Sequence, residues 1–233
     1  DAVERCGRVC QVGSQNRSMA TNRYGCRLIR DGGIGRVSLV EVSNYTGPMS
    51  YDGLPEEPVP EGLGWDLFCG PTPLKAYNRH LWVKDAFKRG GLLWRGWDLF
   101  EDYSGHLMTN HGAHAVDMVQ WALGTDDTGP VEIEPLVEKH DDEQRKCPIL
   151  MRYAGGMELH ITHPKGFYAG GYFYGKDGEM KISRNGFAAF PRELVTDPPD
   201  PEAAMIEMRT QHGVSVMDLS QNRPQLIVFL RHA

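Results

Sequence analysis

The chain has 233 residues, 40 % hydrophobic and 24 % charged, with a net charge of −6. That suffices for one large or two small globular domains. It argues against the clustered basic footprint of a nucleic-acid binder, and no apolar run approaches the ~18 residues of a membrane span. The five cysteines, Cys6, Cys10, Cys26, Cys69 and Cys147, are scattered and odd in number, so no disulfide framework is expected and the compartment stays open.

In chain order, residues 1–18, DAVERCGRVCQVGSQNRS, read as the end of a helix, a short strand over 8–12 and a turn at Gly13-Ser14. Residues 19–30 have helical character and stop at Gly32-Gly33. Residues 37–45, VSLVEVSNY, alternate and are β-branched, which predicts a strand. Pro48, Pro55, Pro58 and Pro60, with several glycines, make 46–64 a long irregular loop. In 65–78, WDLFCGPTPLKAYN, Pro71 and Pro73 bar regular structure. Two readings stand for this segment: a surface loop anchored by its tryptophan, or a cleft wall that offers Tyr77 and Asn78 to a substrate. The planar fork of Arg95 suits a carboxylate, a phosphate or a hydroxyl pair, or else an ordinary ion pair with Asp98 or Asp102.

The stretch 102–124, DYSGHLMTNHGAHAVDMVQWALG, concentrates the chemistry. His106, His111 and His114 fall within nine positions. Tyr103, Ser104 and Gly105 form a loop, and from about Thr109 the pattern is helical. Ala113, Val116, Val119, Ala122 and Leu123 make an apolar stripe. Asn110, His114, Asp117 and Trp121 occupy a different face, and Gly124 is a natural stop. The pattern predicts a helix with one side to a core and a row of Asn, His and Asp to a cleft. An imidazole titrating near its ordinary value of about 6.5 exchanges protons at neutral pH. An amide or carboxylate one turn away can orient it or hold a substrate hydroxyl. A satisfied core or surface histidine is the competing reading for each of the three. His111 and His114 have a metal-pair spacing, but no third or fourth ligand completes a closed site, so no metal is expected.

From residue 131 the period changes. Strands are predicted over 131–137, 147–153, 157–163, 171–174 and 179–183, with turns at Gly155-Gly156 and at Lys176-Asp177-Gly178. Residues 202–211 have helical character, 214–233 carry no assignment, and 225–230 are strongly apolar. Strands following a helical middle predict an α+β fold on an open, mostly antiparallel sheet with helices on one face.

Several of these segments resemble the Gfo/Idh/MocA oxidoreductases, the family of glucose–fructose oxidoreductase and inositol dehydrogenase. The central stretch is similar to its GG-x-L-x-D-x-G-x-H-x-x-D-x-x-x-W-x-x-G segment through Gly105, Gly112, His114, Asp117, Trp121 and Gly124. Asn110 stands where the family has Asp, and an amide cannot accept a proton as a carboxylate does. Residues 5–18 resemble the family's last Rossmann unit through Gln11, Val12, Gly13, Gln15, Arg17 and Ser18. Residues 32–37, 65–78 and 172–191 match further family segments. The resemblance covers about residues 5–190 and weakens after Pro198.

The resemblance implies that residues 1–18 are the C-terminal remnant of a Rossmann dinucleotide-binding domain. Residues 19–233 would be a substrate-binding and oligomerisation domain. It implies an NAD(P)-dependent oxidoreductase acting on a sugar or cyclitol hydroxyl, with His114 and Asn110 as the catalytic pair. His111, Asp117, Arg95, Tyr77 and Asn78 would face the substrate, and Gln15 and Arg17 the cofactor ring. Homo-oligomers would form through the free sheet face; neither a nucleic acid nor a membrane is an expected partner. Two alternatives stand beside this: a glycosidase-like member that uses NAD transiently to oxidise C3, and a non-catalytic substrate-domain or oligomerisation module. The family's G-x-G-x-x-G fingerprint and its E-K-P lysine are expected N-terminal to Asp1. The 233 residues alone are therefore expected to be inactive and to bind NAD more weakly than the micromolar range, because a phosphate cradle at a helix N-terminus carries that affinity. Calorimetric titration checks this, and tight stoichiometric binding contradicts it.

Overall fold

The computed structural model describes residues 2–8, 10, 13–51, 53–81, 96–137, 145–163, 169–184 and 186–196. The β-branched run VSLVEVS forms the central strand β1 (Val37–Ser43). Later strands follow as β2 (Pro130–Pro135), β3 (Ile149–Tyr153), β4 (Glu158–His163), β5 (Gly171–Gly175), β6 (Glu179–Ser183) and β7 (Gly186–Phe190). They make one sheet in the order β2-β3-β4-β1-β5-β6-β7. Every neighbouring pair is antiparallel except β1 with β4. Short turns join β3 to β4 and β5 to β6 to β7, and β2 precedes β3 as its antiparallel neighbour, so β2-β3-β4 and β5-β6-β7 are two consecutive antiparallel runs. β1 slots between them from far upstream, which is how one parallel pair arises: parallel neighbours need a long connection.

Alternation along the strands separates the two faces. Val40 and Val42, Leu159 and Ile161, Phe173, Met180 and Ile182 point to one side and are fully buried. Two helices cover them: α2 (Ala20–Arg30), which packs on β6, β7 and the second helix, and α4 (Ala113–Leu123), which packs on β1 and β5. α2 buries Asn22, Gly25, Cys26 and Ile29 at helical spacing. Gly25 permits the close approach, since a Cβ there would meet the Ile182 side chain at 3.0 Å. Preceding α2 are a single turn, α1 (Ala2–Arg5), and a 3₁₀ turn, Gln15–Ser18. The short α3 (Trp65–Cys69) nucleates a second cluster of Trp65, Cys69, Tyr77 and Leu81.

The opposite sheet face is polar. Tyr174 donates to Glu41 at 2.6 Å and Tyr172 to Glu179 at 3.0 Å, with the two tyrosine rings stacked at 4.8 Å. Arg152 bridges Glu132 and Glu134, each at 2.9 Å.

Several expectations change in detail. WDLFC winds into α3 before the prolines can forbid it. β7 was not anticipated. The buried stripe of α4 is Ala115, Met118, Val119 and Ala122, while Ala113 is exposed. Relative to the expected stripe, this is a rotation of roughly 90° on a wheel of ~100° per residue. The alanines and flanking valines cannot fix the phase alone, and Met118 at the centre of the sheet does. The rotation carries His114 to the flank of the core rather than to the far face. Residues 8 and 10 are not in a strand, and 9, 11 and 12 lie outside the described residues, as do Arg95 and the segments 202–211 and 225–230. Because Phe173 lies fully buried under α4 while Ile133 on β2 is 58 % exposed, Phe173→Ala is expected to cost about 3–5 kcal/mol. Ile133→Ala should stay within about 0.5 kcal/mol. Ile133 lies on the same face through the register Ile133–Met151–Leu159–Val40–Phe173 but beyond the helices; urea denaturation checks both, and equal losses contradict a cover centred on β1 and β5.

Candidate functional site

The chain reaches α4 through a π-helical turn, Met108–Gly112. Such turns hold one residue more than an α-turn and are frequent at functional sites. Gly112 lets this one close, because a Cβ there would meet Met108 Cε at 2.9 Å and the Tyr45 ring at 3.3 Å. Asn110 lies in the turn, and its Oδ1 is buried and accepts no hydrogen bond among the described residues. His114, one helical step on, is 6 % exposed. His111 sets its ring edge-on to Tyr45, centroids 6.0 Å apart. Burial holds its pKa below the ordinary histidine value, and the neighbouring His114 and Arg184 lower it further, partly opposed by Asp98.

The 3₁₀ turn Gln15–Ser18 docks on the side of α4. Arg17 Nε donates to Asp117 Oδ2 at 2.9 Å, and Nη2 donates to Asp117 Oδ1 at 2.8 Å. The same Nη2 reaches Asp126 Oδ1 at 2.6 Å, and the guanidinium lies 5.6 Å from the Trp121 ring centroid. The hydrogen bond to Asp117 raises the Arg17 pKa, against the opposing effect of burial, so the cation is permanent. Arg17 was expected at the cofactor and Asp117 at the substrate. The structure pairs them with each other, and both carboxylate oxygens are taken. Their separation of one hundred positions left no local signal of this contact. Asn16, which sequence reasoning missed, is the anchor beneath: it is fully buried and its Nδ2 donates to the Ala169 carbonyl at 2.9 Å. Gln15, beside it, has a buried Oε1 that accepts no hydrogen bond among the described residues.

Tyr77 and Asn78 lie in the second cluster. Tyr77 packs edge-on to Trp65 at 5.0 Å. Asn78 is 3 % exposed; its Nδ2 donates to the Pro55 carbonyl at 2.8 Å and its Oδ1 accepts from the His80 N–H at 2.9 Å. With donor and acceptor both engaged by backbone, Asn78 shows the contacts of a loop anchor. Lys75 Nζ meets Asp102 at 2.6 Å and lies over the Tyr51 ring, tying this loop to the segment before the π turn. A groove of about 370 Å³ opens at the other end of α4, between Ile29, Val37, Leu123 and Tyr153. None of the expected site residues lines it.

Near the start of α4 the chain thus holds a buried imidazole, His114, and the buried acceptor Asn110 Oδ1, while the salt-bridged turn docked on α4 carries a second, Gln15 Oε1. Asn16 Oδ1, Asn22 Oδ1, Ser43 Oγ, Arg145 Nη1 and Tyr153 Oη are likewise buried without a hydrogen-bond partner among the described residues; what sets Asn110 apart is its place in the π turn one turn before His114, where its oxygen could accept an N–H or O–H from a bound molecule. The sequence profile for the oxidoreductase family's C-terminal alpha/beta domain, of the Gfo/Idh/MocA group, matches residues 19–214. No curated protein matches. Among solved structures the chain is similar to an aldose-aldose oxidoreductase from Caulobacter crescentus complexed with glycerol, at 15 % identity and a TM-score of 0.43. That alignment covers 81 % of this chain and 46 % of the other, so this chain spans less than half of that protein's length. The profile match takes in most of the sequence, with the mixed α+β sheet that it describes, and the chain belongs to the Gfo/Idh/MocA oxidoreductase family.

Proposed function

We propose that this chain supplies the substrate side of an NAD(P)-dependent oxidoreductase acting on a sugar or cyclitol hydroxyl. The observation that carries the reading is the buried, unengaged Oδ1 of Asn110 one turn from the buried His114. A polyol presents adjacent O–H donors, and that pair suits two of them. Asn110 Oδ1 accepts from one hydroxyl and fixes the ring. The His114 imidazole takes the proton of the hydroxyl being oxidised and returns it in the reverse direction. The nicotinamide, when bound, supplies the hydride chemistry. Of this chain's residues, Gln15 fits its carboxamide, whose NH₂ is a donor for Oε1. Arg17 holds the Gln15 turn against α4 instead of contacting the cofactor itself. The polar sheet face, with its paired tyrosines and the Arg152 carboxylate cluster, is the surface through which copies of the protein associate in this reading.

The test is made in the protein that carries this chain together with the family's dinucleotide fingerprint. His114→Ala is expected to lower turnover by about 10²-fold, the usual scale for a positioned acid/base, while the thermal melt stays cooperative. Unchanged turnover removes His114 from the mechanism. Asn110→Asp keeps an acceptor and adds a charge that favours the protonated imidazole one turn away. Its acidic limb in a plot of kcat/KM against pH is expected to move to higher pH with activity retained. An unmoved limb contradicts the placing of Asn110 within electrostatic reach of the reacting imidazole.

A further inference from the structure

The backbone takes an unfavourable conformation just before the π turn. His106 has φ +52°, in the left-handed region that a residue with a Cβ rarely occupies. Such strain persists only where the surroundings over-determine it. Those surroundings form a closed ring of hydrogen bonds. His106 Nδ1 lies 2.9 Å from Asp98 Oδ2, and the two residues are 4 % and 5 % exposed. Asp98, on the 3₁₀ turn Trp97–Leu99, accepts the Ser104 hydroxyl at its other oxygen, at 2.8 Å. Ser104 Oγ in turn accepts the backbone N–H of His106 at 3.0 Å. A buried carboxylate is tolerated only with such partners, so each member of the ring holds the others.

The ring sits at the start of the π turn. Thr109 Oγ1 donates back to the His106 carbonyl at 3.3 Å, and a Cβ on Gly105 would fall 2.3 Å from Thr109 Cγ2, which shows how tightly the chain is folded here. A π turn is not self-sustaining. Released at its leading end, it would relax towards the α register and turn Asn110 by about one residue's rotation, ~100°, relative to α4.

We propose that His106 is a positioning residue: locked by Asp98 and Ser104, it holds the π turn and so aims Asn110 and His111. The substrate that they are aimed at is the polyol of the reading above, on which this inference rests.

Three variants of the complete protein test it. His106→Gly accepts the backbone conformation but removes the imidazole from the ring. His106→Asn tolerates the same φ, and its amide can donate to Asp98. Ser104→Ala removes the two ring hydrogen bonds of the Ser104 hydroxyl and leaves the His106–Asp98 contact in place. His106→Gly is expected to lower kcat/KM for sugar oxidation by about tenfold or more, the scale of a small misplacement of a binding group, and His106→Asn to restore it to within about threefold of the original protein. The second readout is the titration of the His111 imidazole by NMR; the ring is faced by His114, Arg184, Asp98 and His106. Its pKa should rise towards the ordinary value in His106→Gly and stay low in His106→Asn. Both variants remove the His106 imidazole equally, so the difference reports the turn. Ser104→Ala should move both readouts the same way by a smaller amount, and it carries the test if His106→Gly does not fold. Readouts unmoved in His106→Gly, or in Ser104→Ala where that variant carries the test, overturn the proposal. So does an Asn variant as defective as the Gly variant, since the imidazole itself would then be doing the chemistry. If the unmodified protein oxidises no sugar or cyclitol, the proposed reaction fails, and the His111 titration still decides the role of His106.

Discussion

The Arg17 guanidinium joins two parts of the molecule that the chain keeps one hundred residues apart. Its fork grips both oxygens of Asp117, its second nitrogen reaches Asp126, and its flat face lies near Trp121. An exposed ion pair contributes about 0–1 kcal/mol. This one is more than that, because it is bidentate, partly buried and shared between two carboxylates, and planar forks lose little freedom on binding. Its consequence is geometric. The Gln15–Ser18 turn cannot slide along α4, so the Gln15 acceptor and the His114 imidazole keep a fixed relation.

The sheet makes that relation rigid. α4 lies on β1 and β5 through Ala115, Met118, Val119 and Ala122, all fully buried. α2 locks against it, where the Cys26 thiol meets the Met118 carbonyl at 3.9 Å. Burial pushes that thiol up to about 12, so Cys26 is inert packing rather than a reactive group. The same packing puts His114 at the flank of the core. In the proposed reading, activity and stability meet in one helix, whose floor is apolar, whose flank carries His114 and whose outer side is clamped by Arg17.

Much of this was legible in the sequence because it is local. The sequence pattern located β1 to β6, Gly155 and Gly156 marked the β3–β4 hairpin, and Gly124 ends α4 in the left-handed conformation at φ 67°. What was not legible depends on distant partners. The face of α4 is set by where Met118 lands on the sheet, and a stripe of alanines and valines leaves that phase undetermined. Strand β7 is an edge strand whose half-exposed GFAAF carries little alternation. Asn78 looks like a ligand in isolation and is an anchor because Pro55 and His80 happen to face it. Asp117 looks free until Arg17 arrives from the other end of the chain. The three histidines were visible as a cluster, but only the fold shows that they differ: His106 is locked to Asp98, His111 is half-buried against Tyr45, and His114 borders the core.

The central claim is that the Arg17–Asp117 contact couples the turn to α4 energetically. A double-mutant cycle with Arg17→Gln, Asp117→Asn and the pair, read by equilibrium urea denaturation, measures it directly. The account predicts a coupling of at least about 1 kcal/mol, within the range for residues in one hydrogen-bonded network. Additivity of the two single losses to within about 0.3–0.5 kcal/mol would show that the turn and the helix are held by something else, and would contradict it.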